Sequence, residues 1–537
     1  MKIIDLIVIS NSQIYQLITM EKWLSCPKGF ETKKIERNRN TNCTEHWREV
    51  MRLNQKRQIM DFIATIEEGI DYASHTNDDR TSVILQDSND GLQFLLKLMN
   101  GEEEVIGLLH QAIQAVQSLM AGMKEEHKYS LHINKLKHLM VDVKTLIINN
   151  VKTDIEIAFM PYKASMWDAL ESIYREANQD PNCTCYVVPI PYYEKNAQGE
   201  IIKFCYEGND FPKDVTTIPF ELYDFENRRP DIIYIHNPFD NYNILTMVNS
   251  RFFSGNLAQY TEMLVYVPYY LAGSTATPEI SVFPSYMNAA KIIVQSENSL
   301  HSFIANGIDA HKLIDLGSPK LDAMFEAIKE PKEIPFYWKK IIGDKKAFLL
   351  NTGIADLLSI DAWFEQVEQV LNYFMDHEQF AVIWRPHPLT EITIKTMRPQ
   401  LLESFEILEN KLKQAANVIV DISSDIYPAV AASDGIISDY SSVMLQCIVT
   451  EKPILGLLNS EMIATDRYYH ADYSGCYFAN QDVTVPQFVE MVERGEDYKR
   501  EERVSRFKKS VSNADGTCGQ KIHQSIKNEL MQQVLNI

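Results

Sequence analysis

Arg385 and His387 stand in the run Trp384-Arg385-Pro386-His387-Pro388, directly after an apolar stretch that reads as a strand. The two prolines forbid a helix and narrow the backbone, so a guanidinium and an imidazole are held in a defined geometry at a strand's carboxyl end. That pair suits a diphosphate. The guanidinium matches phosphate oxygens, and the imidazole can donate a hydrogen bond or a proton to a departing one. Some fifty residues on, Gly435-Ile436-Ile437-Ser438-Asp439-Tyr440-Ser441-Ser442-Val443 leads from a strand through a tight turn into a helix, followed by Glu451-Lys452-Pro453-Ile454-Leu455. Ser441 and Ser442 then fall at a helix N-terminus, where free N–H groups, the positive dipole end and two hydroxyls favour an anion. Taken singly, each motif also describes an ordinary capped turn.

These residues need rigid sheets to hold them, and the chain is long enough to supply several. It has 537 residues, 45% of them apolar, which allows about three domains at roughly 150 residues each and excludes wholesale disorder. With 73 acidic against 52 basic residues the net charge is −21, which argues against a protein that coats nucleic acid by charge. No apolar run reaches the ~18 residues of a spanning helix, and the stretch Leu264 to Pro278 is interrupted by Pro268, Gly273 and Thr275. The first ten residues lack the features of a signal peptide, so a cytoplasmic chain is expected. The eight cysteines form no CxxC pair and are expected to be reduced thiols. Neither a metal site nor a cofactor is expected from this pattern.

Three regions follow from the texture of the chain. Residues 1–150 read as a separate helical layer, clearest between Val105 and Met123, where apolar residues recur at helical spacing and Gln111, Gln114 and Gln117 face outward. Residues 22–57 of that layer carry ten basic and four acidic residues with Trp23, Phe30 and Trp47 among them, a composition that suits either a solvated helical face or an anionic lipid surface. Residues 151–335 alternate short apolar strands with amphipathic helices, with strands at 155–160, 185–190, 232–235, 264–267 and 291–295. Residues 336–537 repeat the texture, with strands at 347–351, 380–384, 418–422, 435–438 and 453–457. The expected class is α/β: two Rossmann-like domains with parallel sheets, facing each other across a ligand cleft, preceded by an α-helical region.

Taken together, the Arg-Pro-His-Pro and Ser-Asp-Tyr-Ser-Ser motifs in this order resemble the CDP-glycerol glycerophosphotransferase family, the teichoic acid primases and polymerases of GT-B fold. Gln295-Ser296-Glu297, Gly317-Ser318-Pro319-Lys320-Leu321-Asp322 and Asp515-Gly516 follow the family's order as well, so the resemblance covers about residues 230–525. It implies transfer of glycerol phosphate from CDP-glycerol, or a related nucleotide-diphosphate donor, to a hydroxyl-bearing polymer or lipid-linked acceptor, with release of CMP. It further implies peripheral contact with the inner face of the cell membrane. The implied catalytic residue is His387. Arg385, Ser438, Asp439, Ser441 and Ser442 form the donor-binding set.

The first α/β region departs from the family. Where the family has a His-Gly motif that supplies the base, this chain reads Val267-Pro268-Tyr269-Tyr270. His236, in Tyr234-Ile235-His236-Asn237-Pro238-Phe239-Asp240, is the substitute base expected here, because it follows a strand and an imidazole with pKa near ~6.5 accepts a proton at neutral pH. Asn237 or Asp240 would orient its ring. Lys163, Asp240 and Tyr269 complete the acceptor-side candidates. Two alternatives stand beside this reading: a GT-B glycosyltransferase using a nucleotide sugar, and a non-catalytic nucleotide-binding scaffold.

Overall fold

The structure is a computed structural model that describes residues 51–537 except 77–78, 100, 122–125, 272–281, 424, 440, 458–474 and 536–537. Four consecutive helices, Leu53–His75, Asp79–Leu98, Glu103–Ala121 and Glu126–Asn150, pack each against the next, and the fourth returns to the first. The ring closes because each helix carries an apolar stripe. In the third, Val105, Leu109, Ala112, Ile113, Val116 and Leu119 are buried, and Gln111, Gln114 and Gln117 are exposed. The bundle is not a separate layer, however: its core is continuous with Ile155, Ile157 and Phe159 of the sheet behind it.

Three of the ten basic residues in the run 22–57 are described, and all three tie the bundle to that sheet. Arg52 donates through Nη1 and Nη2 to the carbonyls of Arg228 and Arg229 at 2.7 and 3.0 Å. Lys56 is buried, with Nζ on the Ile148 and Val151 carbonyls and on Thr153 Oγ1, and Arg57 pairs with Glu262. They face protein and not lipid or polymer. The rest of the run lies outside the described residues.

The first α/β half contains β1 (Met51–Arg52), β2 (Thr153–Phe159), β3 (Cys183–Val187), β4 (Tyr192–Lys195), β5 (Ile201–Cys205), β6 (Ile232–Ile235), β7 (Thr246–Val248), β8 (Met263–Tyr266), β9 (Lys291–Val294) and β10 (Leu313–Asp315). Seven of these form a parallel sheet in which β2 pairs with β3 on one flank and β6 on the other, and β8, β9 and β10 continue outward. The remaining three, β5-β4-β7, make a small antiparallel sheet. Sequence patterning misses this small sheet because β5 exposes four of its five residues and β4 is only four residues long, two tyrosines followed by Glu194 and Lys195, so neither reads as a buried run.

The second half holds β11 (Lys346–Thr352), β12 (Phe380–Pro386), β13 (Val418–Val420), β14 (Gly435–Ser438), β15 (Ile454–Gly456) and β16 (Tyr477–Phe478), all parallel, in the order β13-β12-β11-β14-β15-β16. The first five lie within about two residues of the ranges expected from apolar runs, since a strand covered on both faces is apolar throughout, whereas the two-residue β16 is too short to be read in this way. In both sheets the strand order reverses beside the first long strand, between β2 and β6 and between β11 and β14. Such switch points open a crevice at the strands' carboxyl ends, where open α/β sheets bind ligands.

The chain crosses between the halves twice. Helix Pro319–Lys329 packs with the second half's core. The last helix, Cys518–Leu535, returns to the first, burying Cys518, Ile522, Ile526, Leu530 and Val534 beside helix Glu171–Gln179. Grouped with residues 336–537 by sequence position, that helix packs on the other half. Asp322 fixes its start by accepting the Cys518 and Gly519 amides at 3.1 and 2.7 Å. Two parallel-sheet halves linked by a returning helix make a GT-B-like arrangement. Among the described residues no helix is long and apolar enough to cross a membrane.

Candidate active site between the two halves

The switch point of the second sheet gathers the Ser-Asp-Tyr-Ser-Ser turn. Asn351, at the end of β11, donates through Nδ2 to Ser438 Oγ at 3.1 Å and Ser441 Oγ at 3.2 Å, and the two hydroxyls lie 3.2 Å apart. Ser438 is fully buried, whereas Ser441 and Ser442 are half-buried at the mouth of helix Ser442–Cys447. Asn351 is not among the site residues expected from the sequence, which shows Leu350-Asn351-Thr352-Gly353 only as a departure from the family's aromatic-plus-Arg motif. Its strand register beside Ser438 is the signal that finds it.

Asp439 turns away from the crevice. Its Oδ2 accepts the Gly353 amide at 2.5 Å, with Trp363 Nε1 at 3.5 Å, and Oδ1 is buried without a hydrogen-bond partner among the described residues. Burial, then the nearby Asp356 carboxylate, pushes its pKa up to about 8. A carboxyl held neutral in this way braces the turn.

On the neighbouring β12, Arg385 is buried and its Nη1 pairs with Asp421 Oδ2 at 2.5 Å, with the Asp425 carbonyl at 3.3 Å. His387 is half-buried. Its Nδ1 accepts the Leu389 amide at 3.1 Å, which leaves the proton of the neutral ring on Nε2. Burial, followed by the charges of Lys163 and Arg385, lowers the ring's pKa to about 3. At neutral pH His387 is therefore a hydrogen-bond donor and not an imidazolium.

In the first half, Lys163 is buried in the loop after β2. It follows β2 at the first switch point, buried between the rings of Tyr192 and Tyr162, whose centroids lie 4.9 and 5.7 Å from Nζ. His236 lies next to it but has no free nitrogen. Nε2 accepts the Tyr162 amide at 3.1 Å, and Nδ1 stands 3.1 Å from the Met166 carbonyl, to which it must donate. With no exposed surface and a pKa lowered by burial to about 3, this imidazole is placed as a clamp, not as a base. Asn237 and Asp240 do not orient it. Asp240 accepts the Ser254 amide and hydroxyl, 2.9 and 2.7 Å from Oδ2, and Asn237 Oδ1 accepts the Phe239 amide at 3.3 Å. Tyr269 stands edge-on to His236, 6.1 Å between centroids, and burial pushes its phenol pKa up, so it stays protonated.

A second set of residues, none of them expected as a site residue, joins the two halves. Lys320 Nζ lies 2.6 and 2.7 Å from the two carboxylate oxygens of Asp168. Tyr427 donates to Asp168 at 3.0 Å, and Gln446 donates to Tyr427 at 3.2 Å. All four are buried or nearly so, and they come from both halves and the crossing helix. Lys320 belongs to the Gly317-to-Asp322 motif, whose glycine sits at φ +87° where a Cβ would lie 2.1 Å from the Ser512 carbonyl oxygen. Gln295 reaches the same place, its carbonyl accepting the Ser512 amide at 2.8 Å. The motifs outside the site thus build the crossing. Among the described residues, Asp180, Cys183 and His523 stand close enough to share a metal ion, but Lys527 Nζ already lies 2.5 Å from Asp180 Oδ2.

Residues 285–528 match the family described as CDP-Glycerol:Poly(glycerophosphate) glycerophosphotransferase, which bears out the resemblance over that segment. No curated protein matches the chain. Among solved structures, a wall teichoic acid polymerase TagF variant soaked with CDPG is 14% identical, covering 79% of this chain and 99% of its own, at a TM-score of 0.45. The S. aureus MnaA–UDP co-structure is 13% identical over 70% of this chain and 97% of its own, with a TM-score of 0.44. The Methanocaldococcus jannaschii UDP-GlcNAc 2-epimerase in complex with UDP-GlcNAc and UDP is 14% identical over 70% and 100%, with a TM-score of 0.45.

Proposed function

We propose, from a chain whose residues 285–528 match the glycerophosphotransferase family, that it transfers glycerol phosphate from CDP-glycerol to a hydroxyl acceptor on a teichoic-acid-like or other cell-surface polymer. The observation that carries this reading is the position of both family motifs at the carboxyl ends of β12 and β14, on either side of β11 at one switch point. In this reading the acceptor oxygen bonds to phosphorus, the phosphorus–oxygen bond to CMP breaks, CMP keeps the electron pair, and the hydroxyl proton leaves to solvent. Phosphoryl transfer of this kind asks mainly for positioning and for charge stabilisation. His387 Nε2–H and the Ser441 and Ser442 hydroxyls supply hydrogen bonds to diphosphate oxygens. Arg385, tied to Asp421, contributes a fixed positive charge, and Ser438, Asn351 and Asp439 hold the turn. The reaction would take place at the inner face of the cell membrane, where a lipid-linked acceptor is available.

The test is calorimetric titration of the full chain with CDP-glycerol, CMP and a set of UDP- and GDP-sugars. Binding of CDP-glycerol that is lost in His387→Ala is the expected result. Preference for a nucleotide sugar would overturn the donor and favour a glycosyltransferase.

A second reading, a non-catalytic nucleotide-binding scaffold, is favoured by one observation: both nitrogens of His236 are engaged, and no histidine stands at Val267–Tyr270. Release of CMP that depends on added acceptor would exclude it.

A further inference from the structure

We propose that Asp168, from the first half, is a positioning residue for the anion-binding groups of the second: through Tyr427 it sets the loop that orients Arg385, and through Gln446 the helix that carries Ser442. Asp168 lies before the segment that matches the family. Arg385 is held by one edge only. Its Nη1 donates to Asp421 Oδ2 at 2.5 Å, to the Asp425 carbonyl at 3.3 Å and to Ser423 Oγ at 3.4 Å. Nε and Nη2 make no hydrogen bond among the described residues. These two donors form the parallel pair that meets two phosphate oxygens. All three acceptors of Nη1 belong to one short loop after β13, so that loop decides where the open edge points. The inference rests on the proposed place of the donor diphosphate, and not on the nucleotide or the group transferred.

Within the loop, Ser423 donates its amide to Asp421 Oδ1 and its hydroxyl to the Asp425 carbonyl, each at 2.9 Å. The far end is fixed from the other half. Asp425 Oδ1 accepts the Tyr427 amide at 2.9 Å, and the Tyr427 hydroxyl donates to Asp168 Oδ2 at 3.0 Å. Lys320 anchors Asp168 in turn, through both carboxylate oxygens. The second arm starts at the same carboxylate. Gln446 Nε2 lies 3.2 Å from the Tyr427 hydroxyl and 3.4 Å from Asp168 Oδ2, and Gln446 follows Ser442 by one turn on the same short helix. Asp168, Lys320, Tyr427 and Gln446 are all buried. A buried network of this kind fixes geometry, because any other arrangement leaves polar groups unpaired. One carboxylate of the first half thereby reaches, by hydrogen bonds, both the Arg385 loop and the serine helix of the second.

The experiment uses the full chain and two variants: Tyr427→Phe, which keeps the ring and the Asp168–Lys320 pair, and Asp168→Leu/Lys320→Met, which removes the acceptor and both buried charges together. Denaturant unfolding checks that each folds. Amide hydrogen exchange read by mass spectrometry comes first. Peptides spanning 421–427 should exchange about tenfold faster in both variants, and those spanning 442–447 faster in the second, while β12 stays as in the parent. Calorimetric titration with CDP-glycerol comes next. Tyr427→Phe should bind about tenfold more weakly than the parent, and Tyr427→Phe/Arg385→Gln no more weakly than Arg385→Gln alone, because the hydroxyl acts through the guanidinium. Exchange across 421–427 that is unchanged in both variants overturns the positioning role, whether or not a nucleotide binds. An affinity loss in Tyr427→Phe that adds in full to that of Arg385→Gln overturns the route through Arg385. Faster exchange in the variants of a parent that binds neither CDP-glycerol nor a nucleotide sugar overturns the donor reading and leaves the positioning of the loop standing.

Discussion

The Nε2 of His236 accepts the amide of Tyr162 at 3.1 Å, and the same ring donates from Nδ1 to Met166, so one imidazole spans both sides of Lys163. This joins the two switch-point loops of the first sheet, after β2 and after β6, into one unit. A histidine used in this way must stay neutral, and its burial ensures that it does.

Acid should destabilise the fold through His236 and His387. Burial lowers both rings from 6.5 to about 3. Between these values the unfolded chain binds protons that the folded chain refuses, so stability present above pH 6.5 is lost as pH falls toward 3. Urea unfolding from pH 7 to 4 should show a declining midpoint, and His236→Gln should flatten the slope. An unchanged slope would contradict the assigned environment.

Asp439 should act in the opposite sense. Its folded pKa is raised from 3.8 to about 8, mainly by burial and then by Asp356, so its contribution is complete below 3.8 and is lost as pH rises through 8. Asp439→Asn keeps an oxygen for the Gly353 amide and removes the ionisation. Calorimetric melting should show the variant gaining several degrees over the parent at pH 9 and changing little at pH 5.

Lys320→Met should destabilise by about 3–5 kcal/mol, because it leaves the Asp168 carboxylate buried with only the neutral donors Tyr427 and Gln446. Adding Asp168→Asn should recover most of that loss. A denaturant series on the parent, the two singles and the double measures the coupling directly.

Gly317→Ala should be among the most damaging single-methyl changes in the chain. Glycine there has φ +87°, and the added Cβ would meet a backbone oxygen at 2.1 Å, so relief requires the two crossing segments to separate. A loss of at least about 2 kcal/mol is expected by denaturant unfolding. Gly495→Ala is the control: its φ is +70° but nothing lies within 4 Å, so the variant carries backbone strain without the clash.

The sequence by itself determined the two parallel sheets, most of their strands to within about three residues, the amphipathic helices of the N-terminal bundle and the motifs at the carboxyl ends of β12 and β14, but not the short strands β1, β10 and β16. These are local properties: a strand buried on both faces must be apolar along its length, and a loop after it is polar and turn-rich. Tertiary structure alone decided what the marked residues do. His236 reads as a base because a histidine after a strand often is one, but only packing reveals that Tyr162 and Met166 occupy both nitrogens. Asp240 reads as a cleft carboxylate, yet a φ of +48° turns it onto Ser254. Nothing local marks the pairing of Asn351, of Asp168 or of Lys320 within its motif, because their partners lie 87, 259 and 152 positions away along the chain. The last helix shows the same limit. Its apolar stripe is legible in the sequence, but which half it covers depends on where Asp322 and Gly317 let the chain cross.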